Sequence, residues 1–107
     1  MRNFVINNVR YNAKPFDFNM ICSMEENGVP LQDMQKKPMA MLRAYFAECS
    51  GLDSEAAGNE IQSHVVGGGN FNDLYKVMGE EMNDSDFFRA LKPTETEDAP
   101  EVEKKKK

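Results

Sequence analysis

Leu42, Tyr45, Phe46 and Cys49 recur at the i, i+3, i+4, i+7 spacing of one helix face, and Gly51 stands just beyond them. That period makes the segment Met39–Cys49 an amphipathic helix rather than a strand. Glycine is the residue that most readily leaves a helix in the left-handed conformation. Pro38 suits the first turn, where its missing N–H costs nothing. One face of this helix must be buried, so the remainder of the chain has to supply its cover. With 107 residues there is room for a single domain around one modest core.

The neighbouring segments read as that cover. Asp53 or Ser54 caps a helix that runs to Gly67-Gly68-Gly69, with Ala57, Ile61 and Val65 as its expected buried side. Asn70 with Asp73 three residues on has the form of a capping box, and the next helix opens there. Phe71, Leu74, Tyr75, Met78 and Met82 give it the clearest apolar stripe in the chain. Asp84 or Ser85 restarts a last turn or two carrying Phe87, Phe88 and Leu91, which Pro93 ends. Towards the N-terminus a helix starts near Asp17 and stops at Gly28, and Leu31–Lys37 forms a short helical turn.

Residues 3–13 read as a β-hairpin. Asn7-Asn8 supplies the two positive-φ positions of a tight turn, which pairs Ile6 with Val9 and Phe4 with Tyr11 on one face. Asn3, Val5, Arg10 and Asn12 fall on the other. From Thr94 the composition turns to acids, threonines and a closing Lys104–Lys107 block, too polar to offset the entropy of ordering. The expected fold is therefore α+β and mostly helical. A short N-terminal hairpin is packed on four to five α-helices within residues 1–92, followed by a disordered charged tail over 93–107.

Several chemistries find no support in the residues. The net charge of −5 and the scatter of Arg2, Arg10, Lys14, Lys36, Lys37, Arg43 and Lys76 argue against nucleic acid, which demands clustered cations. No apolar run approaches the roughly 20 residues that cross a bilayer, and the start is too short and polar for a secretory signal. Cys22 and Cys49 fall on apolar helical positions and read as buried thiols of a reducing cytoplasm, although spacing alone leaves a disulfide open. They and His64, the only histidine, match no metal-ligand spacing. The triple glycine lacks the Gly-Lys-Ser/Thr that completes a phosphate loop, so it reads as a helix cap and a flexible joint. Glu25-Glu26 and Glu80-Glu81 are adjacent on helices and do not face each other. No enzyme activity, metal or cofactor is expected, and function is expected to rest on binding.

Methionine is the one compositional excess, with eight residues at positions 1, 20, 24, 34, 39, 41, 78 and 82. Met78 and Met82 read as core filler. Met20 and Met24 widen the stripe of their helix, and Met39 and Met41 sit partly off theirs. These four are the candidate partner-binding residues, because exposed thioethers form an apolar surface that re-packs around different helices. Burial in the core is the competing reading.

Several segments in order resemble the tail assembly chaperones of long-tailed, siphovirus-like phages and prophages of Gram-positive bacteria. They are Phe4–Tyr11, Asp17–Gly28 with its Met-Glu-Glu-Asn-Gly ending, Lys37–Gly51, Glu55–Phe71 and Ser85–Leu91 around Phe87-Phe88. The resemblance implies a small helical cytoplasmic protein, made during tail morphogenesis and absent from the mature virion. Such a protein binds the tape measure protein and helps recruit the major tail tube protein around it. The family has no catalytic residues to carry over and no motif that fixes its contacts. It often includes a longer form made by ribosomal frameshifting, and the adenine-rich codons of Lys104–Lys107 suit such a slip. Self-association is expected, since several copies on one long helix gain avidity. The alternatives are a minor head–tail connector or tail structural component, and a small adaptor for a host protein.

Overall fold

The computed structural model describes residues 2–91. The expected tail over 93–107, and the frameshift reading attached to it, lie outside the described residues. Strands β1 (Asn3–Ile6) and β2 (Val9–Asn12) form the hairpin in the expected register, Phe4 opposite Tyr11 and Ile6 opposite Val9. Asn7 and Asn8 take φ of 53° and 68°, the left-handed pair that matches the twist of the two strands. Phe4 and Ile6 are buried, but Val9 on the same face is exposed. Helices α3 (Ser54–Val66) and α4 (Asn72–Asn83) lie against β1, whereas only the edge of β2 meets α2 (Pro38–Ser50).

Helix α1 (Phe18–Glu26) begins where Asp17 accepts a hydrogen bond from the Met20 N–H at 2.8 Å. It ends in a Schellman turn. Gly28 at φ 91° sends its N–H to the Glu25 carbonyl, and the Val29 N–H reaches the Met24 carbonyl. Met24 and Val29 are both wholly buried, supplying the apolar contact that accompanies this motif. A single 3-10 turn, Leu31–Asp33, then leads to α2.

Helix α2 is the axis of the molecule. Met41, Leu42, Ala44, Tyr45, Phe46 and Ala47 are all buried, so nearly its whole circumference is covered. Phe46 stands edge-on to Tyr11 and Phe4, with ring centroids 5.0 and 6.1 Å away. Tyr45 stacks on Phe16 at 4.9 Å, and Phe16 meets Phe88 of α5 (Asp86–Leu91) edge-on at 5.7 Å. Edge and offset geometries of this kind add to simple area burial. The Tyr45 hydroxyl donates to the Lys14 carbonyl at 2.7 Å and accepts from the Lys14 N–H at 3.1 Å. Both backbone polar groups of Lys14, in the connector between hairpin and α1, are thereby satisfied.

Two expectations are corrected. Of the stripe assigned to α3, Ala57 alone is buried, while Ile61 is half-buried and Val65 exposed. Helix α4 starts at Asn72 rather than Asn70. Asn70 instead accepts from the Asn72 N–H through its side chain, and no side-chain bond caps the helix. Its buried face is Leu74, Val77 and Met78. The face is rotated towards Val77 because α4 must cover both β1 and α2, and this leaves Tyr75 at the surface.

Candidate partner-binding surface

The four methionines expected to form a binding surface do not stand together. Met20, Met24 and Met41 are in the core, and Met39 alone is open, at 54% exposure. Met20 and Met24 lie one turn apart on the inner side of α1, and Met24 is fixed there by the Schellman contact with Val29. The four-methionine surface is therefore corrected to Met39, with Met41 contributing to a floor.

Around Met39 the sequence nevertheless builds an apolar hollow. It has a volume of about 380 Å³ and is lined by Met39, Ala40, Leu42, Arg43, Gly58, Ile61 and Phe71. Gly58 matters for its depth, because a Cβ there would lie 3.2 Å from Arg43 Cδ. A second hollow, of about 320 Å³, lies between α4 and the segment before α2, with Met34, Pro38, Met41, Tyr75, Met78 and Met82 in its walls. The two share the N-terminal end of α2. The first reaches Phe71, the residue that precedes α4, and the second Tyr75 and Met82 on α4 itself; the three follow at near-helical repeats. Val65 and Val66, the latter 79% exposed, extend the apolar surface at the end of α3.

Of these wall residues Met34 is buried and Ile61, Phe71 and Met82 are half-buried against the core, so of the expected α4 stripe Tyr75 is the open one. One signal was available. The stripe assigned to α4 was too wide for a single contact, since Tyr75 is about 100° round from Leu74.

His64 does not join Cys22 or Cys49. Its Nδ1 accepts from the Asn7 N–H of the hairpin turn at 2.9 Å, and its Nε2 lies 2.9 Å from the Asn70 carbonyl. An acceptor role for Nδ1 and a carbonyl facing Nε2 place the ring N–H on Nε2. The ring lies so close over Gly69 that a Cβ there would come within 2.6 Å of it. Gly68 at φ 103° and Gly69 close a second Schellman turn, donating to the Val65 and His64 carbonyls. The triple glycine is accordingly a tied cap, and the flexible joint expected there is corrected: the histidine clasps loop and hairpin together.

Both cysteines are free thiols. Burial pushes the Cys49 thiol and the Tyr45 phenol above their ordinary values, so each stays protonated and neutral at physiological pH. Among the described residues no group of three or more His, Cys, Asp or Glu is arranged to hold a metal ion. No helix of the described residues is long and apolar enough to cross a membrane. Comparison of the chain with protein-family models, with curated proteins and with solved structures found no match.

Proposed function

We propose that this chain is a non-enzymatic assembly chaperone for phage tails, which binds the tape measure protein and helps recruit major tail tube subunits around it. The observation that carries the reading is the pair of apolar hollows lined by the first turns of α2, walled by Met34, Met39, Met78, Met82, Phe71 and Tyr75. Flexible thioethers adapt their rotamers to successive turns of a long helix. Polar groups that demand one register are few in these walls. A surface of that kind suits a partner whose apolar repeats would otherwise aggregate. Its contacts are individually weak, so polymerising tube subunits displace them readily.

The ordered likeness of Phe4–Tyr11, Asp17–Gly28, Lys37–Gly51, Glu55–Phe71 and Ser85–Leu91 to tail assembly chaperones supports the same reading. On it the protein acts in the host cytoplasm and is left out of the mature virion. Co-expression with the neighbouring tape measure protein, followed by affinity capture, tests it. The expected result is a partner that becomes soluble and co-purifies. A partner that stays insoluble and unbound beside a well-folded protein would remove the chaperone role and favour a connector, as would its detection in purified particles by mass spectrometry.

A further inference from the structure

We infer that the apolar surface around the start of α2 receives an amphipathic helix whose apolar stripe is bordered by carboxylates. The inference rests on the reading of this face as a partner surface and adds the charge of the partner to it.

The chain carries a net charge of −5, yet cations stand beside these apolar hollows. Arg43 lines the first hollow. Lys36 lines a third hollow that shares Met34, Gln35 and Met82 with the second. Lys76 stands exposed on α4, three residues before Gly79, which lines the second hollow. Among the described residues none of these three is in an ion pair. Arg2 is taken by Glu80, Glu81 and Asp84, Lys37 by Asp33 and Arg89 by Asp86.

All but one of the acids of the same helices are engaged elsewhere or lie on other sides, and Glu48 of α2 accepts from the Asn27 side chain. Glu80 and Glu81 hold Arg2, and Glu60 of α3 accepts from the Asn7 side chain on the hairpin. Asp73 sits about 100° beyond Asn72, away from the Phe71–Tyr75 side. Glu55 of α3, exposed and three residues before Gly58, is the exception beside the first hollow. Three unengaged cations around an apolar floor attract a helix with acidic margins, speed its encounter and repel a basic one. The side of α4 from Phe71 to Met82 is about 16 Å long, enough for three turns of a bound helix.

The test uses the full chain and two labelled synthetic helices of about eighteen residues, with identical leucine faces. One carries glutamates beside the leucines and the other lysines, and binding is read by fluorescence anisotropy. The acidic helix is expected to bind about five- to tenfold tighter than the basic one, and the gap is expected to shrink as salt is raised. The double variant Arg43→Glu, Lys76→Glu changes two exposed positions, and circular dichroism checks its fold. It is expected to abolish or invert the preference. Equal affinity for the two helices overturns the inference, as does binding of neither, or a dimer in which a second copy covers the hollows. If the variant does not fold, the salt response of the unaltered chain decides in its place. A tape measure protein kept soluble without any charge preference leaves the assembly role standing and removes this inference. A clear preference without that rescue does the reverse.

Discussion

Helices α2 and α3 have the same length, thirteen residues, and lie side by side, yet six residues of α2 are buried and one of α3. The difference follows from what each helix is attached by. Helix α2 is held around its circumference by aromatic and aliphatic packing. Helix α3 lies along α2 and is otherwise tied by polar groups, at Glu60 and at its ends. Asp53 accepts from the Ala56 N–H at 2.8 Å at its start, and the Ser54 hydroxyl donates to the Asn27 side chain at 3.0 Å. His64 clasps its last turn to the hairpin. Between these fastenings only Ala57 is sunk into the core. A helix fixed at its ends can leave Gly58, Ile61, Val65 and Val66 along its length for something else. In this chain α2 therefore supplies much of the core together with the floor of the hollows, while α3 supplies exposed apolar positions beside them.

The largest expected effect lies on α2. Phe46→Ala empties the space between the hairpin rings and the helix and should cost about 3–5 kcal/mol, read by chemical denaturation. A loss under about 1 kcal/mol would mean that α2 is not the axis described.

Alkaline pH probes the same helix without mutation. Because the folded state binds the protons of Cys49 and Tyr45 more tightly than the unfolded chain does, their contribution is fully present below the ordinary thiol range. It falls as pH rises through that range, and falls further beyond about 10, where a free phenol ionises. A denaturation midpoint that stays level through both ranges would contradict the burial of these groups.

On α3 the effects shrink. His64→Ala removes two hydrogen bonds at one end and should cost about 1 kcal/mol. Faster amide exchange is expected at Asn7 and around Gly69, while Phe46 and its neighbours keep their protection. Protection lost uniformly would show that the two helices are not independently secured. Val66→Ser should change stability by less than about 0.5 kcal/mol and yet weaken capture of the helical partner. Loss of stability without loss of capture would invert the comparison.

The features legible in the sequence were those decided within a few residues. The Asn7-Asn8 turn, the Asp17 and Asp53 caps, the Gly28 stop and the Pro38 start all have local causes, and the hairpin register follows from its turn. What is exposed on a helix depends on which neighbours arrive, and that is not local. Met20 and Met24 looked surplus to their stripe because nothing in α1 reveals that Val29 folds back over Met24. Tyr75 reads as internal from its spacing, but α4 spends its inward face on β1 as well as α2 and leaves it at the surface. For His64, the Asn7 N–H it bonds belongs to a turn far away in the chain, so spacing could not announce the pairing.

The N-terminal segment is stitched to the end of the fold. Arg2 reaches Glu80, Glu81 and Asp84, and the Ser85 hydroxyl donates to the Phe16 carbonyl. On a ribosome this means that the first strand emerges long before its partners exist. Phe4, Ile6 and Phe16 have to wait, uncovered, until α4 and α5 have left the exit tunnel. Folding of this domain is therefore a late and nearly all-at-once event in synthesis, and nascent chains stalled anywhere before Ser85 should display the apolar side of the hairpin to whatever helper meets them.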